Sequence, residues 1–259
     1  MTTVLRASRA LFRFSGADAQ KLLFDVVTGR IVAEPGPDIW WALLSPQGKI
    51  QAEGLSRYAD DAFWLDVDQG VADAFFKRMR IYKLRAAVEI ADLRETHRVG
   101  WVGDAPHTMV IGDAADARDW AAADDSYAAA RIAEGMAEQG ADFAADSVFP
   151  HDISMDLLGG VDFKKGCYIG QEVVSRMQHR GTARRRPVIV SGIEATAGAA
   201  VTVGARDAGA VGQVVDGKAV AIVRLDRFDG GEVMVGGKAV RVELPGWATY
   251  RLGESASAD

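Results

Sequence analysis

The chain has 259 residues, of which 49% are hydrophobic and 25% are charged, a composition typical of a globular protein with a sizeable core rather than of a disordered chain. Its formal net charge of -6 argues against a protein that coats nucleic acid or an anionic membrane through its overall field. No apolar run reaches the ~18 to 20 residues of a membrane-spanning helix, and the length predicts roughly two domains.

The chain contains one cysteine, Cys167, so no disulfide can form within it. An unpaired thiol is typical of a reducing compartment, and we expect a cytoplasmic protein. No cluster of histidine or cysteine with metal-ligand spacing accompanies this thiol in the sequence, so no stable metal site is expected. A thiol-redox protein would need a resolving thiol from another molecule.

The N-terminal segment carries Arg6, Arg9 and Arg13 without an acid, a composition that resembles a mitochondrial presequence. The apolar residues within 11–14 run directly into a helix signal, and this favours a first strand instead. Ser15 and Asp18 fit a capping box at the start of that helix. Further along, apolar runs predict strands at 40–44 and 63–67 around a turn at 45–48. The four-residue spacing of Val71, Phe75 and Met79 predicts a second helix that extends to about residue 82.

The amino-acid composition changes twice in the C-terminal half. Residues 127–136 favour a helix by propensity, within an alanine-rich and aspartate-rich stretch from 113 to 146. After Pro187, six short valine-rich segments separated by glycine-rich turns predict a small β-barrel or sandwich. These segments are 188–190, 201–203, 211–215, 220–223, 233–235 and 240–244.

The stretch most informative about chemistry is F-K-K-G-C-Y-I-G-Q-E at residues 163–172. Cys167 lies just ahead of a predicted helix, where unsatisfied backbone N–H groups and the charges of Lys164 and Lys165 favour a thiolate. The glycines on both sides allow a sharp turn that leaves the sulfur accessible. The alternative is that Cys167 is a small, buried apolar residue.

A locally basic segment follows the cysteine. From 164 to 186, eight basic or potentially basic side chains accompany a single acid, Glu172. Through Arg176, His179 and Arg180 this segment could hold an anionic ligand, such as the glutamate tail of a folate, or an acidic or nucleic-acid partner. The alternative is a solvated arginine run leading into the barrel. Likewise, a set of aromatic residues could line a pterin site or belong to the ordinary core: Trp40, Trp41, Trp64 and Tyr82.

Residues 165–172 match the K-G-C-Y-x-G-Q-E motif of the YgfZ family, whose members are related to the T-protein of the glycine cleavage system. The flanking segments are similar as well. Residues 14–23 resemble the family's opening strand and helix, 44–49 its early glycine turn, and 131–136 its R-x-x-x-G-x step. The resemblance therefore covers nearly the whole chain.

The resemblance implies an α+β fold in which three parts form a ring around a central opening, as in the T-protein. We expect a discontinuous mixed α/β body and a small C-terminal β-barrel. The first α/β part would comprise residues 1–48 plus 140–182, and the second 49–139. The barrel would span 183–252, followed by a frayed tail at 253–259.

The resemblance also implies a function. It implies that tetrahydrofolate or a derivative binds in the central opening, and that the protein serves the assembly, repair or maintenance of iron-sulfur clusters in client enzymes, including enzymes that modify transfer RNA. Cys167 is expected to carry the chemistry, with Lys165 orienting the thiol electrostatically and Cys167 acting at most as a transient cluster ligand. No permanently bound metal, no direct nucleic-acid binding and no membrane binding are expected. The expected folate-binding residues are Tyr168, Gln171, Glu172, Arg176 and Arg180.

One difference from the T-protein concerns catalysis. Where the transferase has paired aspartates after its glycine turn, this chain has Ala52 and Glu53. Folate amine chemistry needs a proton-transferring group near the ligand nitrogen, which alanine cannot provide. On a strand, Glu53 would point to the opposite face. This difference favours a non-classical accessory factor over the alternative, a folate-dependent aminomethyl or methyl transferase.

Overall fold

The structure is a computed structural model that describes residues 2–103, 105–181 and 183–254. The predicted tail beyond residue 254 lies outside these ranges. Within them the chain forms three β-sheets, and none of its helices combines the length and apolarity needed to cross a bilayer. The α-helices are α1 (Ala19–Val26), α2 (Ala72–Lys83), α3 (Ser126–Ala133) and α4 (Gln171–Arg180). Short 3-10 helices occur at Gln69–Val71, Asp116–Asp119, Pro150–Ile153 and Leu225–Arg227.

The strands divide between the N-terminal body and the C-terminal part. Those of the body are β1 (Val4–Leu5), β2 (Arg9–Ser15), β3 (Ile39–Leu44), β4 (Ile50–Ala59), β5 (Ala62–Asp68), β6 (Glu89–Asp92), β7 (His97–Trp101) and β8 (Val110–Asp113). Those of the C-terminal part are β9 (Arg185–Ser191), β10 (Ala200–Val203), β11 (Arg206–Val215), β12 (Lys218–Arg224), β13 (Val233–Val235), β14 (Lys238–Ala239) and β15 (Arg241–Glu243).

A five-stranded antiparallel sheet with the order β3-β4-β5-β2-β6 forms the centre of the body. Because side chains alternate along a strand, neighbouring residues enter different cores on its two faces. Phe12 and Trp41 pack beneath α1 and α2, together with Leu23 and Phe75. This sheet face and its two helices form the first hydrophobic core, which we call the helical core.

The opposite face of the sheet belongs to a second core that joins the body to the rest of the chain. Trp40 and Leu55 from the sheet meet Ile132 of α3, Tyr168 of the cysteine motif and Val220 of the C-terminal sheet. This shared core holds the motif and the C-terminal part against the same sheet face.

The C-terminal part is a seven-stranded antiparallel sheet with the order β14-β13-β10-β11-β12-β9-β15 and a valine-rich core of its own. A small third sheet, β1-β7-β8, lies in the body. The α+β class with a C-terminal β-barrel is therefore confirmed. The limit predicted between residues 48 and 49 falls within the turn of the β3-β4 hairpin, so both predicted α/β parts contribute strands to one sheet.

The predicted capping box at the start of α1 is wrong. The helix begins at Ala19, after Asp18, and neither Ser15 nor Asp18 caps it with a side chain. The Asp18 carboxylate instead accepts a hydrogen bond from the backbone N–H of Ala87, at 2.7 Å. This long-range contact replaces the local one, and it joins the start of α1 to the segment that follows α2.

Candidate functional site

Cys167 is exposed on a loop of residues 162–170, which we call the thiol loop. The loop precedes α4, whose N-cap residue Gly170 has the left-handed conformation, with φ 79°. The exposed sulfur excludes the alternative in which this cysteine is a buried apolar residue. The thiol is therefore accessible from solvent.

Lys165 anchors the thiol loop to the end of α1. Its ammonium donates hydrogen bonds to the backbone carbonyls of Phe24 at 2.8 Å and Gly29 at 3.2 Å, and to that of Val27. The carbonyls of Phe24 and Val27 lie at the C-terminus of α1, which the helix itself leaves without donors, whereas the carbonyl of Gly29 follows the helix and also accepts from the backbone N–H of Ile31. Burial lowers the pKa of Lys165 to about 8, although the nearby carboxylate of Asp162 acts in the opposite direction. The lysine is thus engaged by the fold of α1, which indicates a role in positioning the loop.

The predicted folate-binding residues do not converge on one cavity. Tyr168 is buried in the shared core, where burial raises its pKa and its hydroxyl has no hydrogen-bond partner among the described residues. Gln171 begins α4. Glu172 and Arg176 pair with each other at 2.5 Å on the exposed side of α4, and Arg180 is exposed at its end.

Two arginines at the end of the basic segment are neutralised by acids of the same chain. Arg185 lies 2.5 Å from a carboxylate oxygen of Asp152, and Arg186 lies 2.6 Å from one of Asp156. These contacts attach the start of the C-terminal sheet to the segment after Val148. This part of the arginine run therefore has a structural role.

The glycine turn at 45–49 and the start of α4 touch through their backbones. A Cβ atom added at Gly48, whose φ is +80°, would lie 2.9 Å from the Cβ of Val173. A Cβ atom added at Gly170 would lie 2.7 Å from the carbonyl oxygen of Ser45. Only glycine fits such positions without displacing its neighbour. The two sequence motifs that resemble the T-protein relatives are therefore in direct contact.

A cavity of about 890 Å³ opens where the three sheets meet. Its wall includes Leu5 of β1, Asp68 at the end of β5 and Gln213 of β11. Cys167 is not among its lining residues, and neither are the predicted folate-binding residues or the four aromatic residues considered for a pterin wall. The thiol loop and the central cavity are two separate features.

One buried ion pair forms a side of the central cavity, and a second is buried next to that pair. Arg6 and the hydroxyl of Tyr127 both donate to Glu138, each at 2.5 Å, and Arg9 donates to Asp66 at 2.7 Å. Burial alone would raise the pKa of Glu138, but the arginines around it, Arg6 first, lower it to about 2. The glutamate is therefore a fixed negative charge in the wall.

Ala52 and Glu53 face opposite sides of the sheet, as predicted for a strand. Ala52 pairs with Leu43 and packs into the helical core, away from the cavity. The buried carboxylate of Glu53 lies on the other face, where it accepts hydrogen bonds from the indole of Trp40 at 2.7 Å and the backbone N–H of Gln139 at 3.1 Å. Burial raises the pKa of Glu53 despite these donors and Arg9. Ala52 therefore removes no acid from the cavity wall, and the argument against transfer chemistry that was based on this alanine does not hold.

The sequence prediction missed the buried charges around the cavity. Arg6 and Arg9 were noted only for a composition that resembles a presequence, yet both are buried against acids far along the chain. A usable signal was present, because an arginine among the apolar residues of a strand needs a buried acid as its partner. The sequence does not say which of many acids that partner is. Among the described residues, no group of three or more His, Cys, Asp or Glu side chains could hold a metal ion.

Comparison with known proteins gives relatives for the sequence and for the fold. Residues 183–250 match the family model described as the C-terminal β-barrel domain of CAF17. A mitochondrial iron-sulfur cluster assembly factor IBA57 homolog of Pyricularia oryzae is 28% identical over 212 residues, which cover 69% of this chain and 54% of that protein. The homolog of the same name in Mycosarcoma maydis is 28% identical over 222 residues, covering 71% and 55%. The chain spans about half the length of these curated relatives.

These relatives contradict one prediction, and a solved structure gives the fold. The predicted cytoplasmic location is wrong by this comparison, because the relatives are named as mitochondrial. An unpaired thiol indicates a reducing environment without saying which compartment provides it. Among solved structures, the aminomethyltransferase T of the glycine cleavage system of Bartonella henselae matches with a TM-score of 0.75 and 15% identity, over 96% of this chain and 87% of that one. The chain therefore has the fold of an aminomethyltransferase T, and its sequence is similar to proteins named as iron-sulfur cluster assembly factors.

Proposed function

We propose that this protein is a tetrahydrofolate-binding accessory factor that helps to assemble, repair or maintain iron-sulfur clusters in client enzymes, among them enzymes that modify transfer RNA. The relatives named as iron-sulfur cluster assembly factors support the general role. The observation that carries the proposal is the exposed thiol of Cys167 on a loop that Lys165 anchors to α1.

The thiol count determines how a cluster can be handled. Iron-sulfur clusters are usually held by several thiolates, and Cys167 is the single cysteine of the chain. The cluster is therefore cargo that Cys167 contacts while a partner supplies the remaining ligands. An exposed sulfur on an anchored loop suits such a shared site, because the partner can approach without opening the fold.

The central cavity supports the folate part of the proposal. Its volume of about 890 Å³ is ample for a pterin, and the carboxylate of Asp68 together with the side-chain amide nitrogen of Gln213 provides hydrogen-bond partners for the pterin edge. Bound tetrahydrofolate would supply a nitrogen able to carry a one-carbon unit. Arg6, the cation of the lining, is already paired with Glu138, so the anionic tail would extend toward solvent.

A folate-dependent aminomethyl or methyl transferase is the second candidate. The fold match and the buried carboxylate of Glu53, which accepts a hydrogen bond from the cavity-lining Gln139, favour it. That carboxylate is already bound by Trp40, Gln139 and Arg9, and this counts against a role in proton transfer to a ligand. Purified protein incubated with tetrahydrofolate and aminomethyl or N-methyl donors is expected to give no folate-dependent product, and steady turnover would establish the transferase instead.

Replacement of Cys167 by serine tests the role of the thiol. In cells that carry only the variant, the activity of client iron-sulfur enzymes should fall severalfold, while the purified variant should keep the melting temperature and tetrahydrofolate affinity of the original chain. Full client activity in those cells would remove the thiol from the mechanism.

The cavity can be tested independently of the thiol. Asp68→Asn should weaken tetrahydrofolate binding, measured by calorimetric titration, because the amide cannot accept hydrogen bonds as a carboxylate does. Saturating tetrahydrofolate should leave the rate of Cys167 alkylation by iodoacetamide within about twofold, since the thiol does not line the cavity. An affinity unchanged by Asp68→Asn would place the folate elsewhere.

A further inference from the structure

The C-terminal end of α2 and the turn after it expose apolar and basic side chains, of which Arg80 contacts the fold through its guanidinium, 5.7 Å from the ring centre of Phe76. Leu84 is 80% exposed and Ile81 is 58% exposed. Around them lie Lys77, Arg80 and Arg85, all exposed. We call these five residues the α2 patch.

Leu84 occupies a backbone position that normally requires glycine. The backbone N–H of Ala86 donates to the carbonyl of Lys83 at 2.7 Å, which closes a β-turn from residue 83 to residue 86. Leu84 has φ 41° and ψ -104°, the geometry of the first central residue of a type II′ turn. A leucine there is strained, and its side chain gains no burial in return. Neither packing nor backbone preference accounts for this residue, which points to a role outside the fold.

The charge of the patch is opposite to that of the chain. Residues 77–85 contain five basic side chains and no acid, in a protein whose net charge is -6. Asp73, the acid of α2, lies at the opposite, N-terminal end of the helix, where it pairs with Arg94 at 2.7 Å. A surface with two exposed apolar side chains inside a basic rim is complementary to an acidic protein surface with apolar side chains of its own.

The α2 patch and the thiol loop lie at the two ends of α1. The segment after the patch meets the start of α1, where Asp18 binds the backbone of Ala87, and the thiol loop meets its end through Lys165. The eight residues of α1 span roughly 12 Å. Both α1 and α2 pack on the same face of the five-stranded sheet. A protein seated on the patch would therefore reach Cys167 along α1.

We infer that the α2 patch is the docking surface for the client protein whose iron-sulfur cluster meets Cys167, through an acidic surface of the client that contains apolar side chains. This inference rests on the proposed function for its choice of partner. The docking chemistry itself depends only on the patch, and so the two can be tested separately.

The probe is a fluorescently labelled 20-residue amphipathic peptide with glutamate on its polar face and leucine on its apolar face, titrated with the full chain. Arg80→Glu and Leu84→Gly should each weaken binding by about tenfold, the first by charge reversal and the second by loss of the apolar anchor. Leu84→Gly should also raise the melting temperature, because glycine relieves the strained turn. Lys218→Glu, which reverses an exposed charge at the start of β12, should leave the affinity unchanged, as should Cys167→Ala.

Equal peptide affinity of the original chain, Arg80→Glu and Leu84→Gly would overturn the inference. It would also be overturned if anionic lipid vesicles bound in an Arg80-dependent manner while the peptide did not, because the patch would then be a membrane contact. In cells, Leu84→Gly should lower client iron-sulfur enzyme activity severalfold at an unchanged alkylation rate of Cys167. If Cys167→Ala leaves client activity intact while Leu84→Gly lowers it, the proposed thiol chemistry fails and the docking surface stands; the reverse result removes the docking surface alone.

Discussion

Substitution of Lys165 by methionine removes the ammonium that anchors the thiol loop and keeps most of the apolar stem. Three backbone carbonyls then each lose the hydrogen bond from the ammonium. At the lower limit of ~1.5 kcal/mol for a hydrogen bond to a charged group, the loss is about 4.5 kcal/mol. Burial lowers the pKa of Lys165 from 10.5 to about 8, which corresponds to about 3.4 kcal/mol of unfavourable free energy for the charged form that the variant no longer bears. The net destabilisation is therefore about 1 kcal/mol.

Two measurements detect this loss. The melting temperature followed by circular dichroism should fall by about 2 to 4 °C for a chain of this size. Hydrogen exchange of the thiol-loop amides should accelerate by about fivefold, since the free energy of local opening falls by the same amount. Lys164→Met is the matched control, because Lys164 is the exposed neighbour in the same loop and should change neither quantity. If both variants behave alike, Lys165 does not anchor the loop, and the argument from the carbonyls of α1 is wrong.

Three further predictions concern the cavity wall, the glycine turn and the missing carboxylate. Arginines lower the pKa of buried Glu138 from 4.5 to about 2, so its ionised carboxylate stabilises the folded state above pH 4.5 and this stabilisation is lost as the pH falls toward 2. In urea denaturation, the free energy of unfolding of the original chain should fall by up to about 3 kcal/mol more than that of Glu138→Gln over that range. Gly48→Ala should cost about 1 to 3 kcal/mol more than Gly198→Ala in the same assay, because both positions have positive φ but only the first would bring a Cβ against Val173. Ala52→Asp should lower the melting temperature, by burying an unpaired carboxylate worth about 3 kcal/mol or more, and should confer no aminomethyl transfer; a variant of full stability would show that the side chain can reach the cavity side.

Elements with a clear apolar period were predictable from the sequence. The helix expected from Val71 to about residue 82 is observed as α2, and the six valine-rich segments after Pro187 correspond to strands of the C-terminal sheet. Strand β4 was missed, because it buries polar residues such as Glu53 and Ser56 and so lacks simple alternation. The small sheet of β1, β7 and β8 was missed because its strands are short and their pairing is long-range.

The candidate site was predictable in part. The exposure of Cys167 before a helix follows from the local pattern of lysine, glycine and cysteine. The anchor of Lys165 does not, because its partners lie at and just after the end of α1, about 140 residues earlier in the chain. Positions of this kind depend on tertiary contacts, which local spacing leaves undetermined. The roles expected for the motif residues in folate binding stay predictions.

The exposed position of the chain's single thiol has a practical consequence. Any disulfide that this chain forms must join Cys167 to a thiol of another molecule, so oxidation gives disulfide-linked dimers of the chain or mixed disulfides with other thiols. For the same reason a maleimide dye attaches at one place and in one-to-one ratio. A dye attached there would report on the loop that a client is proposed to contact. Reductant in the buffer keeps the thiol reduced and therefore available for labelling.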